Sequence, residues 1–229
     1  METNKHNNYH NQKSSSSSSQ HGLLLIVIPD FEAPLGDTCS SLHQALGLVD
    51  RLTIVVSVRA PNTIPYNGSR ATAASFHSVQ KVLSALYVSF TKQAVALGRP
   101  LAELDIVIRE SCGYDVGAGG VGDEIPFDVF LGLPPAIKEL EKLNERRIQN
   151  GAKGLAIQTL DEAKAHATGE THNPLVQAID SVLPYSNVQE GQYGDVALGG
   201  TFDHLHAGHK ILLSMTAWIS SHRVVCGVT

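Results

Sequence analysis

Strand-like and helical segments take turns along this chain, and this alternation is the strongest constraint on its fold. The strand-like runs are short and apolar, whereas the helical stretches place apolar residues three and four positions apart. Strands that alternate with helices predict parallel pairing, so we expect an α/β fold with a Rossmann-like parallel sheet. The predicted strands are Leu23–Ile28, Leu52–Val58, Asp105–Ile108 and Phe127–Leu131, and the predicted helices are Ala71–Leu97 and Pro135–Ile148.

Composition divides the chain into three parts. Residues 1–20 are polar, include a serine run and lack apolar surface, which predicts a disordered tail. Residues 21–190 hold the segments above and are predicted to form an N-terminal α/β domain, to which the sequence assigns no role. The segment Ala167–Gln192 carries two prolines, glycine and polar residues, and its end is predicted to be the linker into residues 193–229.

The third part places a glycine turn, a hydroxyl and histidines between a strand and a helix. The run Gly199-Gly200-Thr201-Phe202-Asp203-His204-Leu205-His206-Ala207-Gly208-His209-Lys210 follows the strand-like Asp195–Leu198 and precedes apolar residues at helical spacing. At such a junction, free N–H groups and the helix dipole attract an anion, and glycines let the backbone approach it. His206 and His209 lie three apart, so they are predicted to share a face. The sequence therefore predicts a phosphate site here.

These residues resemble the HxGH nucleotidyltransferase superfamily. His206-Ala207-Gly208-His209 and Gly200–Asp203 stand at the spacing of that superfamily, and the whole run looks most like phosphopantetheine adenylyltransferase of the eukaryotic and archaeal type. Residues 193–229 would then begin a cytidylyltransferase-like nucleotidyltransferase domain. Family enzymes continue through further strands, a basic substrate-binding loop and a Ser/Thr-rich segment with an arginine. We therefore expect this domain to be incomplete, and the chain alone to lack measurable activity and to bind ATP at roughly millimolar strength.

The resemblance implies transfer of AMP from ATP to 4′-phosphopantetheine, which gives dephospho-CoA and pyrophosphate in coenzyme A biosynthesis. The acceptor phosphate attacks the α-phosphorus in line, so the protein positions two polyanions and neutralises their charge. Mg²⁺ would accompany ATP, without a dedicated carboxylate cluster in the protein. By the same resemblance, His209 would donate to an α-phosphate oxygen, and His206 would contact the nucleotide phosphates. Thr201 would bridge the phosphates of the two substrates, and Gly208 would leave space for the nucleotide. Gly200 and Phe202 would complete the ATP-binding residues.

Other interpretations of the same residues stay open. A histidine near a helix start is usually a surface or capping residue when it stands alone, and the sequence predicts a loop position for His204 and a solvated side chain for Lys210. The motif also fits a cytidylyltransferase. The spacing of His204, His206 and His209 is that of some zinc hydrolases, although Gly208 stands where their carboxylate precedes the last histidine. The chain could instead be a non-catalytic binding protein or a truncated gene product.

Composition limits partners and location. A net charge of −5 and a pI near 6.1 argue against an extended nucleic-acid surface. Leu23–Ile28 is too short to span a bilayer, and three widely spaced cysteines fit a reducing compartment. We expect a cytoplasmic protein that binds neither nucleic acid nor a membrane, with its oligomeric state left open. The dinucleotide fingerprint at Gly117–Gly122 is followed by an acidic pair instead of a helix, so it is predicted to be a loop.

Overall fold

The computed structural model describes residues 20–58, 76–109, 127–161 and 193–229. Within these ranges the chain alternates between strands and helices, as the sequence predicts. In chain order the elements are β1 (His21–Ile28), α1 (Gly36–Leu48), β2 (Arg51–Val58), α2 (Phe76–Ala96), β3 (Glu103–Ile108), β4 (Val129–Gly132), α3 (Pro134–Gln149), β5 (Ala156–Thr159), β6 (Tyr193–Gly200), α4 (Ala207–Ile219) and β7 (Ser220–Val228).

Five parallel strands form the larger sheet, in the order β3-β2-β1-β4-β5. The chain moves outward from β1 through β2 and β3, then returns to the other side of β1 at β4. This reversal is the defining feature of a doubly wound, Rossmann-like sheet. At its centre, Leu24 of β1 pairs with Ile54 of β2 on one side and with Leu131 of β4 on the other. The prediction of an α/β fold with a Rossmann-like parallel sheet is confirmed.

Helices cover both faces of this sheet, which explains why its central strands, β1 and β4, are almost continuously apolar. Leu24 and Ile26 of β1 belong to a core shared with α1 and α2. Leu23 and Leu25 belong to a second core shared with α3 on the opposite face. Both cores exclude water, since Leu23 and Leu24 are each 0% exposed.

A smaller unit, β6–α4–β7, rests on the first of these cores. β6 and β7 pair in parallel, and α4 connects them and packs against α2. Met215 of α4 is 4% exposed and belongs to the same core as α2, while the Trp218 ring lies 6.0 Å from the Phe31 ring in an edge-on arrangement. The strands of the unit are far more open than β1, and most of their residues are exposed.

Most predicted segments are confirmed to within a few residues. The structure also contains α1 and β5, which the sequence did not predict: α1 is interrupted by glycine, serine and threonine, and β5 has four residues, of which three are exposed. Several predictions concern residues 1–19, 71–75, 117–122 and 167–192, which lie outside the described residues. The domain boundary at residue 190 therefore stays a prediction.

Candidate functional site

The motif occupies the strand-to-helix junction predicted for it. β6 ends at Gly200, a short loop follows, and α4 begins with His206 as its N-cap residue. β7 returns parallel to β6, so that Val228 pairs with Gly200. The carboxyl ends of the two strands and the first turn of α4 therefore meet in one place.

His206 caps the helix with its own ring. Its Nδ1 accepts a hydrogen bond of 3.1 Å from the backbone N–H of Gly208. A ring nitrogen that accepts carries no hydrogen, so in the neutral ring the hydrogen lies on Nε2. The bond satisfies one of the unpaired N–H groups of the helix start, and it leaves Nε2 as the donor of the ring.

The His209 ring is oriented by a backbone carbonyl. Its Nδ1 lies 3.0 Å from the carbonyl oxygen of His204 and must donate to it, because a carbonyl can only accept. The ring stacks on that of His206 with the centroids 3.8 Å apart and the planes at 24°. The Phe202 ring lies 5.0 Å away at 56°. The prediction that His206 and His209 share a face is confirmed.

Two glycines make room for these rings. A Cβ on Gly208 would lie 3.0 Å from Cε1 of His206, and a Cβ on Gly200 would lie 3.3 Å from Cζ of Phe202. Both distances are shorter than an ordinary van der Waals contact between carbon atoms. Gly208 is therefore explained by the close approach of the capping ring, and the space for a nucleotide that the resemblance assigns to it stays a prediction.

Two threonine hydroxyls meet across the strand ends. Oγ1 of Thr201 lies 3.2 Å from Oγ1 of Thr229, and the Thr229 N–H donates to the carbonyl oxygen of Gly200 at 3.3 Å. Thr201 was predicted as a site residue, but Thr229 was not, because its place depends on the pairing of β6 with β7. The sequence also gave no sign of the His204 carbonyl, since a backbone atom leaves no trace in a pattern of side chains.

The prediction of a solvated Lys210 is wrong. Its side chain is only 21% exposed, and Nζ donates to the Leu104 carbonyl oxygen at 2.6 Å and to Oδ1 of Asp105 at 2.7 Å. Burial alone would raise the pKa of Asp105, but hydrogen bonds from Lys210 and Arg51, with their positive charges, outweigh it and hold that pKa below its usual range. The charge of Lys210 is thus neutralised by the N-terminal region.

The groups that remain at the junction are suited to bind a polyanion. They are the Nε2–H of His206, the Nε2 of His209 in the imidazolium form, the Thr201 hydroxyl and the N–H groups at the start of α4, all on exposed or half-buried residues. The positive end of the helix dipole lies at the same point. Asp203, the acidic residue of the loop, uses Oδ1 to accept the His204 N–H at 2.9 Å. Such an arrangement can bind and orient phosphate groups without a covalent intermediate.

The three motif histidines do not converge as metal ligands. Across the ranges that the structure describes, no group of three or more His, Cys, Asp or Glu side chains could hold a metal ion. The rings of His206 and His209 stack, and each already uses Nδ1 in a bond to the backbone. The geometry therefore gives no support to the zinc hydrolase interpretation.

None of the helices in those same ranges is both long and apolar enough to cross a membrane.

Two curated proteins match a short part of this chain. Phosphopantetheine adenylyltransferase of Saccharomyces cerevisiae is 67% identical over 33 residues, which are 14% of this chain and 11% of that protein. An uncharacterised protein of Schizosaccharomyces pombe is 61% identical over 33 residues, 14% of this chain and 10% of that protein. No family model matches the chain, and no solved structure matches it. The chain thus spans about a tenth of the length of these relatives, and the similarity covers a short stretch only.

Proposed function

We propose that this chain carries the nucleotide-binding motif of a phosphopantetheine adenylyltransferase, which transfers AMP from ATP to 4′-phosphopantetheine and releases pyrophosphate. The observation that carries the proposal is the stacked His206–His209 pair at the start of α4, beside the carboxyl end of β6. The similarity to the yeast enzyme of that name is its second support. We also propose a cytoplasmic location, in keeping with the three widely spaced cysteines.

The two rings have separate tasks in this proposal. His209 donates from Nε2 to an oxygen of the α-phosphate as charge develops there in the transition state. It does so as an imidazolium, because in the neutral ring the hydrogen lies on Nδ1, which donates to the His204 carbonyl. His206 donates from Nε2 to the nucleotide phosphates while its Nδ1 keeps the helix capped. The Thr201 hydroxyl lies at the strand end, where it would bridge the phosphates of the two substrates, and Thr229 stands 3.2 Å away to join it.

Phosphoryl chemistry of this kind uses Mg²⁺, which offsets the charge of the ATP phosphates. The described site offers mainly donors, and its one loop carboxylate already accepts a backbone N–H. We therefore propose that the ion arrives on ATP and is held by the phosphates. The residues of this chain supply the donors that surround them.

Binding can be tested on this chain directly. Titration of ¹⁵N-labelled protein with ATP and Mg²⁺ should shift the amide signals of Thr201, Gly208 and His209, with an affinity of roughly millimolar strength. CTP should shift the same signals less. No change at about ten times that concentration would contradict the proposal, and a stronger response to CTP would favour a cytidylyltransferase.

Catalysis is tested by replacing His209. In a preparation of this protein that releases pyrophosphate from ATP and 4′-phosphopantetheine, His209→Ala should lower turnover by about two to three orders of magnitude, since it removes one transition-state donor. ATP affinity should change little.

His222→Ala is the matched control, because His222 is an exposed histidine near the amino end of β7, where it pairs with Asp195 at 3.0 Å. It should leave turnover within about twofold of wild type, as expected for a surface substitution. If His209→Ala kept more than about a third of wild-type turnover, His209 would have no part in the chemistry.

A further inference from the structure

Lys210 links the candidate site to the N-terminal region. It stands in the first turn of α4, directly after His209, and its ammonium group reaches the amino end of β3, where it binds the Leu104 carbonyl and the Asp105 carboxylate. These partners are 106 and 105 residues earlier in the chain. The contact therefore joins the nucleotide motif to the edge of the five-stranded sheet.

Asp105 is itself held in place from the other side. Its Oδ2 accepts from Arg51 at 3.0 Å, and the Nε of Arg51 lies 3.3 Å from a carboxylate oxygen of Glu103. Each oxygen of the Asp105 carboxylate thus has its own cationic partner. Such a carboxylate is a fixed anchor, because a charge that is bonded on both sides loses stabilisation if it moves.

The rest of α4 shows why this anchor matters for the first turn. Towards its end, the helix is held by apolar contacts of Met215 and Trp218. At its start, Ala207 and Ile211 are only partly buried, and the cap is a ring of the same helix. Lys210 adds an ionic contact that fastens this turn to the five-stranded sheet, and the ends of a helix are where it frays.

We propose that Lys210 and Asp105 are positioning residues, which fix the first turn of α4 on β3 and thereby set where the His206–His209 pair stands over the ends of β6 and β7. The N-terminal region is then a scaffold for the nucleotide site. The proposal rests on the proposed function for its consequence, but the geometry of the two rings can be measured without any nucleotide.

The ammonium group is not the phosphate ligand in this proposal. It already has two oxygen partners within 2.7 Å, and both belong to the N-terminal region. To reach a phosphate, the ammonium group would have to break its ion pair with the half-buried Asp105 carboxylate. Direct contact with ATP is therefore the rival outcome that the experiment must separate.

The test compares Lys210→Met, Asp105→Asn and the double variant in the 229-residue chain. Without nucleotide, the imidazole ¹⁵N signals of His206 and His209 report which nitrogen carries the hydrogen. Both single variants should shift these signals towards a mixture of the two ring forms. ATP affinity should fall by about fivefold to tenfold in each, and the double variant should be no worse than the poorer single one, as for two partners of one contact.

Two further variants complete the comparison. Lys210→Arg keeps the positive charge and should recover at least half of the ATP affinity that Lys210→Met loses. This variant also keeps the test decisive if Lys210→Met folds poorly. Lys142→Met, an exposed lysine of α3 on the other face of the sheet, should change neither the rings nor ATP affinity.

Unchanged ring signals in both single variants would overturn the positioning role. Loss of ATP affinity in Lys210→Met alone, with Asp105→Asn unaffected, would also overturn it and would make Lys210 a direct phosphate ligand. If the wild-type chain does not bind ATP but the ring signals respond as stated, the proposed function fails and the positioning role stands.

Discussion

The two sheets of this molecule use their strands in opposite ways. In the five-stranded sheet, helices cover both faces, and the residues of β1 from Leu23 to Ile26 are at most 4% exposed. In β6–α4–β7, most strand residues are exposed, and the polar groups of interest lie at the strand ends. The first region supplies the burial that stabilises the fold, whereas the second displays the donors. Substitutions should therefore affect stability in one region and binding in the other.

The largest expected effect is a loss of stability in the buried sheet. Leu24→Ala removes a side chain with 0% exposure from β1 and should lower the free energy of unfolding by about 2–5 kcal/mol, since it leaves a cavity. Val225→Ala in β7, where the side chain is 48% exposed, should cost less than about 1 kcal/mol. Urea denaturation of both variants measures the difference, and equal losses would show that the two sheets are equally well packed.

A smaller effect is expected at the helix start, where binding and stability should separate. Gly208→Ala adds a Cβ 3.0 Å from the His206 ring, so the ring must move away from the position in which it caps the helix. ATP affinity should therefore fall several-fold, which is equivalent to about 1 kcal/mol. The better helix propensity of alanine should offset the lost cap, so stability should barely change. Gly47→Ala in α1 is the control, because its Cβ would meet nothing within 4 Å. Gly47→Ala should raise the free energy of unfolding by up to about 1 kcal/mol and leave ATP affinity unchanged. If Gly47→Ala lowered ATP affinity as much as Gly208→Ala does, the steric explanation would be wrong.

The smallest effect concerns pH. Because the pKa of Asp105 is lowered in the folded protein, its ionised form stabilises the fold above the ordinary Asp pKa, near 3.9. That contribution is lost as the pH falls through the folded value. With the side chain 38% exposed, solvent screening limits it to about 1 kcal/mol or less. The stability gap between wild type and Asp105→Asn should thus be larger at pH 7 than at pH 3. Val225→Ala changes no titrating group, so its difference in unfolding free energy from wild type should be the same at pH 7 and at pH 3. An equal difference at the two pH values for Asp105→Asn would show that the pKa of the carboxylate is not lowered in the folded protein.

The sequence predicted what is local and failed where the outcome depends on partners distant in the chain. The apolar run of β1 and the strand–turn–helix order of the motif could be predicted because burial and helix starts leave clear patterns. Lys210 could not, since a lysine in the first turn of a helix is usually solvated and its partner Asp105 lies 105 residues away. Thr229 and the His204 carbonyl were missed for similar reasons. One depends on strand pairing, and the other is a backbone atom.

The hydrogen bonds of the two rings also decide where an additional proton can go. A second proton on His206 would have to occupy Nδ1, the atom that accepts the Gly208 N–H, so it would expel that N–H and uncap the helix. A second proton on His209 would occupy Nε2 and leave the bond from Nδ1 to His204 intact. Only His209 can become an imidazolium without disturbing the backbone around it. The helix start thus gives two adjacent, chemically identical side chains different hydrogen positions: Nε2 carries the hydrogen in the neutral His206 ring and is bare in the neutral His209 ring.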